Sequence, residues 1–239
     1  MSIYRSFRRR IQEPPRRKIV LVGDGACGKT CLVMVFKQGI FLDRYIPTIF
    51  ETYAVNFKLD NQPIKLGVWD NAGQEGYERL RALSYRNTDV VLLCFGIDSP
   101  VSLENVRKWA QEVRESCPLT PIFLIGNKVD VRNNFDSIDE IPVQEDQAKQ
   151  VAQMIGARAY LECSAQTKEG VNEIFELVAR TAFAVNPNKK KMASARCLRA
   201  IRCFARRIVG RLNRRSKRHQ KTEHETTYEK AENIGLVKG

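Results

Sequence analysis

The eight residues Gly23-Asp24-Gly25-Ala26-Cys27-Gly28-Lys29-Thr30 combine the groups needed to hold a polyphosphate. Glycines let backbone N–H groups approach an anion closely, and the N-terminus of a following helix faces it. The Lys29 ammonium neutralises charge at β- and γ-phosphates, and the Thr30 hydroxyl reaches Mg²⁺. The spacing is GxxxxGK[ST], which carries this meaning only between a strand and a helix. Other chemistries are poorly supplied. The two histidines, His219 and His224, lie far down the chain, so no mechanism rests on a core histidine and the common hydrolase triads are excluded. The seven cysteines, Cys27, Cys31, Cys94, Cys117, Cys163, Cys197 and Cys203, show no CxxC pair or Cys/His ligand spacing and read as reduced thiols.

The elements that must position the motif follow from hydrophobic patterning. Lys18 to Val22 reads as a strand ending in glycines, and Gly28 to Gln38 as the helix after it. Phe41 to Ile49 is irregular, and Glu51 to Leu59 and Ile64 to Asp70 flank the polar turn Asp60-Asn61-Gln62-Pro63, as in an antiparallel hairpin. Short apolar runs at Val90 to Phe95, Ile122 to Gly126 and Ala159 to Glu162 read as buried strands. Val101 to Glu115, Gln144 to Met154 and Val171 to Phe183 have helical spacing, with Pro100 and Pro142 at the entries. The alternation predicts an α/β fold with a mostly parallel sheet covered by helices.

Three later segments resemble the Ras superfamily of small GTPases. Asp70-Asn71-Ala72-Gly73-Gln74 is similar to DxxGQ, Asn127-Lys128-Val129-Asp130 to NKxD, and Ser164-Ala165-Gln166 to the SAK element. The resemblance implies a six-stranded G domain of the P-loop NTPase type, binding GTP and GDP with Mg²⁺. It implies that Gly23 to Cys31 hold the phosphates, that Thr30, Thr48 and Asp70 serve the metal, and that the Gly73 amide binds the γ-phosphate. Gln74 would orient the attacking water, with Lys29 and Thr48 as its catalytic companions. Asp130 would accept from guanine N1 and N2, a pair of donors that adenine does not offer. Asn127, Lys128, Ser164, the Ala165 amide and Gln166 would complete the base site.

Phe41 stands where the family places an aromatic against the guanine edge, and Tyr45-Ile46-Pro47-Thr48-Ile49-Phe50-Glu51-Thr52-Tyr53 resembles the effector region of the Rho branch. Tyr45 would also face the nucleotide. Val68-Trp69-Asp70, the stretch Gly76 to Tyr85 and Leu103-Glu104-Asn105-Val106 are likewise Rho-like, and GDGACGKTCL is similar to fungal-type Rho proteins. Four departures accompany this. Asn71 replaces the usual threonine, and Arg44 sits beside the first switch. The Rho insert at Val131 to Ile141 is short, and the chain ends Leu236-Val237-Lys238-Gly239 with no CaaX box, so the prenyl anchor is expected to be missing.

The net charge of +13 belongs to the ends. Residues 1–18 hold seven Lys/Arg and one acid, residues 189–221 hold fourteen and none, and residues 19–186 hold 17 bases and 22 acids. The expected division is a basic extension over 1–17, a GTPase domain over 18–186 and a basic tail over 187–239. Within the tail, Leu198, Ile201, Ala205, Ile208 and Leu212 form one stripe opposite most arginines, which predicts a basic amphipathic helix over 196–218 suited to an anionic membrane surface. A solvated charge run, nucleic acid and calmodulin are the competing readings. Phe204 is the only ring among these bases, which disfavours a nucleic-acid stacking platform. Cys197 and Cys203 are candidates for S-palmitoylation or are ordinary thiols. No apolar run reaches the ~18 residues of a membrane span. The expectation is a cytoplasmic GTPase, peripherally attached to a membrane such as the plasma membrane. It hydrolyses GTP slowly and works with effectors, exchange factors and activating proteins in cytoskeletal, polarity or signalling roles. A non-cycling scaffold holding nucleotide permanently is the alternative.

Overall fold

In the computed structural model, residues 13–42, 47–133 and 141–184 are described. They lie within a unit spanning Met1–Ala193; a second unit, Ser194–Gly239, is outside them. Strand β1 (Arg16–Gly23) runs through the centre of a sheet because both of its faces are apolar, with Ile19, Val20, Leu21 and Val22 fully buried. It leads through the glycine turn into α1 (Lys29–Gln38). A hairpin follows, β2 (Phe50–Leu59) and β3 (Gln62–Asn71), and then the short helix α2 (Glu78–Ser84). The remaining elements are β4 (Val90–Gly96), α3 (Pro100–Glu104), α4 (Val106–Ser116), β5 (Ile122–Asn127), α5 (Glu145–Met154), β6 (Ala159–Cys163) and α6 (Val171–Ala184). Strand order is β2-β3-β1-β4-β5-β6, with only β2 antiparallel to its neighbour.

The expected α/β class and six-stranded, mostly parallel sheet are present, and four details differ from the sequence reading. The hairpin turn is tighter than Asp60 to Pro63. Asp60 and Asn61 both take positive φ, 47° and 62°, so Pro63 already belongs to β3, opposite Lys58 of β2. The single helix expected over Val101 to Glu115 is two, α3 and α4, interrupted at Asn105. Glu78–Ser84 is helical although no helix was predicted there, and a 3₁₀ turn spans Val129–Asn133 where the short insert begins. The rest of that insert, residues 134–140, lies outside the described residues, as do Asp43 to Ile46, residues 1–12 of the basic extension and the predicted helix over 196–218 with Cys197 and Cys203.

Two apolar layers sandwich the sheet. One packs α1 and α6 on it through Leu32, Val33, Ile174, Phe175 and Val178; the other packs α3, α4 and α5 through Leu103, Val106, Trp109, Val113 and Ala148. At the centre of the first, the rings of Phe36 and Phe175 stack with centroids 3.8 Å apart. β1 is the strand at which connections leave for opposite sides of the sheet, so a crevice opens beyond its carboxyl end, where such folds bind ligands. Because Phe175 is fully buried against α1, Phe175→Ala is expected to cost about 3–5 kcal/mol. Urea unfolding checks this, and Phe175→Leu should lose much less.

Candidate functional site

The turn from β1 into α1 is built by residue types that tolerate positive φ. Gly23 (139°) and Gly28 (91°) do so without a side chain, and Ala26 (58°) is carried along between them. A Cβ on Gly23 would overlap the Cys94 carbonyl of β4, which is why the loop can begin flush with the sheet. Inside it lies the Lys29 ammonium, only 6% exposed, donating to the carbonyls of Gly23 at 2.9 Å and Asp24 at 2.6 Å. The loop is also tied down from β5. Asn127 Nδ2 donates to the Cys27 carbonyl at 2.8 Å, and its Oδ1 accepts from Cys163 Sγ at 3.2 Å. Burial raises the Cys27 thiol, and Cys163 is pushed up to about 12, so both stay protonated and act as packing groups.

Next to the loop, three oxygens converge from three segments. Thr30 Oγ1 donates to Asp70 Oδ2 at 2.6 Å and lies 2.8 Å from Thr48 Oγ1. Asp70 is fully buried at the end of β3 and its Oδ1 has no hydrogen-bond partner. Burial pushes its carboxyl up to about 6, against the opposing pull of Thr30 and Lys29. A buried carboxylate with an unsatisfied oxygen beside two hydroxyls is the hard-oxygen donor set that suits Mg²⁺. Among the described residues no group of three His, Cys, Asp or Glu could hold an ion alone. The fit is therefore to a cation that keeps waters and shares ligands with a phosphate.

The two threonines border one cavity of about 550 Å³ at the carboxyl ends of the strands, with Asp70 just behind them. It brings together Gly25, Ala26, Gly28, Lys29, Thr30 and Cys31 from the first motif, Phe41, Pro47 and Thr48 from the first switch, Gly73 and Gln74 from DxxGQ, and Lys128, Asp130, Ala165 and Gln166 from the base motifs. Effector-region residues Glu51 and Tyr53 also line it, and they hydrogen-bond to each other. Gly23, Asp24, Cys27, Asp70, Asn127 and Ser164 stand behind the wall rather than in it. Ser164, fully buried, accepts from the Thr167 amide at 3.0 Å and shapes the β6 loop. Lys128 adopts φ 66° and its ammonium meets Asp98 at 2.7 Å, which aims the following Asp130. Tyr45, Ile46 and Arg44 are outside the described residues. Asn71, the departure from the family pattern, also lines the cavity; its Nδ2 donates to the Leu21 carbonyl at 3.0 Å and so joins β3 to β1.

Several participating residues escaped the sequence reading. Asn105 Nδ2 and Trp109 Nε1 hold the two carboxylate oxygens of Asp24 at 2.7 and 2.6 Å. Arg81, 3% exposed, reaches the carbonyls of Ala72 and Gln74 at 3.3 and 3.0 Å. Burial works against the charge of Arg81, but its bond to Glu112 raises it overall, so it stays ionised. The Rho-like segment Leu103-Glu104-Asn105-Val106 is the only sequence signal that touches this support; the helix break at Asn105 is visible only in the structure.

Chemically, the cavity offers backbone amides and an ammonium for phosphates, three oxygens for a divalent cation, and a carboxylate at the far end for a paired donor edge. The Ras family model matches residues 18–184, more than two thirds of the chain, so the chain belongs to the Ras family: it carries a small GTPase domain of a family whose members bind GTP, GDP and Mg²⁺ and hydrolyse GTP.

Proposed function

We propose that this protein is a Rho-like GTPase that cycles between GTP and GDP, hydrolyses GTP slowly and meets its effectors at an anionic membrane surface. The observation that carries the reading is the convergence of Thr30, Thr48 and Asp70 within 2.6–2.8 Å links beside the buried Lys29, in a cavity that Gln74 and Asp130 also line. The Rho-like assignment rests on the switch segments quoted above. The domain runs over 18–186, with basic extensions on either side.

In this mechanism the loop amides and Lys29 bind the β- and γ-phosphates, and Gly25 leaves the terminal phosphoryl group room. Thr30, Thr48 and Asp70 would hold Mg²⁺, which would supply neutralisation of negative charge on the phosphates. The Gly73 amide donates to the γ-phosphate and the Gln74 side chain orients the attacking water in line. A Cβ on Gly73 would overlap the backbone of Asp24 and Gly25, so only glycine lets this amide come so close to the loop. Asp130 selects guanine by accepting from N1 and N2, and Phe41, Tyr45 and Ala165 complete the base and ribose environment. Loss of the terminal phosphate removes the partner of Thr48 and Gly73, and both switch segments relax. Ile49 and Leu83, 57% and 72% exposed in these two segments, offer an apolar surface for effectors, exchange factors and activating proteins.

The tail over 187–239 would dock the protein peripherally on the cytoplasmic side of a membrane, with Cys197 and Cys203 as sites for acylation. Among the described residues no helix is long and apolar enough to cross a membrane.

Three outcomes are expected. In single-turnover assays with purified protein, phosphate release is slow but measurable and falls at least tenfold in Gln74→Leu; equal flat traces for both forms would instead indicate a non-cycling scaffold. Because Asp70 must be ionised to serve the metal and its carboxyl sits at about 6, a proton competes with Mg²⁺ below that pH. The Mg²⁺ concentration that half-maximally retains GDP should therefore rise from pH 7.5 to 5.5 more steeply than for free GDP in the same buffers. Finally, the full chain should sediment with phosphatidylserine vesicles and not with phosphatidylcholine ones, whereas a chain ending at residue 188 should stay in solution; preferential capture by RNA would overturn the membrane assignment.

A further inference from the structure

One helix holds both sides of the hydrolytic site. At its amino end, Asn105 and Trp109 take both carboxylate oxygens of Asp24, at 2.7 and 2.6 Å, immediately before Gly25. The face of the same indole carries the Arg81 guanidinium, 4.6 Å from the ring centroid. Arg81 comes from α2, makes two bonds of 3.0 Å to Glu112 one turn further along α4, and donates to the carbonyls that flank Gly73, those of Ala72 and Gln74. Glu112 is held in turn by Tyr85 Oη at 2.7 Å. Trp109 is 6% exposed and Arg81 3%, so these are desolvated contacts, in which moving one member leaves a buried charge without its partner.

Tryptophan offers an N–H donor at its edge together with a π face for a cation, on a side chain with only two rotatable bonds. Here the edge serves the phosphate loop and the face serves the segment that carries Gln74. We propose that Trp109 is a positioning residue for GTP hydrolysis: through Asp24 and Arg81 it sets Gly25 and the Gly73-Gln74 segment relative to each other. The inference rests on the GTPase reading above. It also makes a sharper demand, because none of Asp24, Asn105, Trp109, Arg81 and Glu112 lines the cavity, so loosening this unit should disturb the alignment of the γ-phosphate and water more than the grip on nucleotide.

The test uses the full-length protein and two variants that leave the rest of the unit in place. Trp109→Phe keeps a ring beneath Arg81 and removes only the donor to Asp24; Glu112→Gln weakens the hold on Arg81 and leaves the Asp24 bonds alone. Single-turnover GTP hydrolysis should slow about tenfold in each, the worth of one hydrogen bond to a charged group. Release of a fluorescent GDP analogue should stay within twofold of wild type. Because both changes act on one unit, the double variant should be little slower than the slower single one. Hydrolysis within twofold of wild type in folded Trp109→Phe would overturn the proposal. So would nucleotide release that accelerates by the same factor as hydrolysis slows, which marks general loosening, or a double variant whose defects multiply. Should Trp109→Phe fail to fold by thermal melting, Glu112→Gln decides alone by the same comparison of hydrolysis with release. A wild-type protein that releases no phosphate would overturn the switch reading and this inference together, and is recognised before any variant is made.

Discussion

A lysine ammonium buried inside a turn of its own backbone is the constraint around which the rest is arranged. Taking such a charge out of water is costly unless it is met by partners, and Lys29 meets only neutral carbonyls, those of Gly23 and Asp24, besides a long contact to Cys27 Sγ. Carbonyl dipoles hold the ammonium in place without cancelling its charge. Just behind the wall of the same cavity, on β3, is the opposite case, a buried carboxylate with one oxygen bonded to Thr30 and the other unpartnered. A cation and an anion kept apart in one low-dielectric crevice suit a ligand that is itself polyanion plus divalent metal. That complementarity is what gives the GTPase reading its physical content.

Keeping the ammonium there dictates much of the architecture. The loop must start flush against β4, which Gly23 permits because it has no Cβ to meet the Cys94 carbonyl. It must not collapse outward, and ties run to it from β5 through Asn127 and from α4 through Trp109 and Asn105. β1 can supply a fixed origin only if it is central, which follows from burial of both its faces between the two apolar layers. Helix–sheet packing on either side thus acts on the site by fixing where one strand ends.

The sequence reveals these features unequally, for physical reasons. Gly23, Gly28, Lys29 and Thr30 are legible because a close backbone approach to an anion admits few residue types, at fixed spacing. The buried strands are legible because unbroken apolar runs are needed between two layers of helices. What stays hidden depends on contacts between distant residues: Trp109 with Asp24 and Arg81 with Glu112 leave no periodic trace. Trp109 has the burial and spacing of an ordinary core residue, and its N–H is what distinguishes it. Asn105 breaks a helix whose apolar pattern runs on without interruption, so patterning alone merges α3 and α4. At the hairpin, Pro63 suggested a wider loop, yet paired positive φ values at Asp60 and Asn61 close the turn in two residues.

The two ends of the cavity differ in how they are held, and the difference matches what a switch requires. Around Asp130 the supports are the buried Asn127 at the end of β5 and Ser164 after β6, with the half-buried Lys128 tied to Asp98 in a conformation rare for a residue with a side chain. Around Gln74 and Thr48 the supports are an edge strand, a seven-residue helix and exposed apolar side chains at Ile49 and Leu83. Elements with less buried surface open at lower free energy. Under the proposed function, a ligand's loss of one terminal phosphate would remove contacts only from the second group, so the base would stay gripped while the surface around Ile49 and Leu83 changes. Arg81 and Trp109 sit at the boundary between these halves, where the segment carrying Gln74 is fastened to α4; in the proposed mechanism, stability there would set how far that segment can relax and how well it is aligned when a γ-phosphate is present.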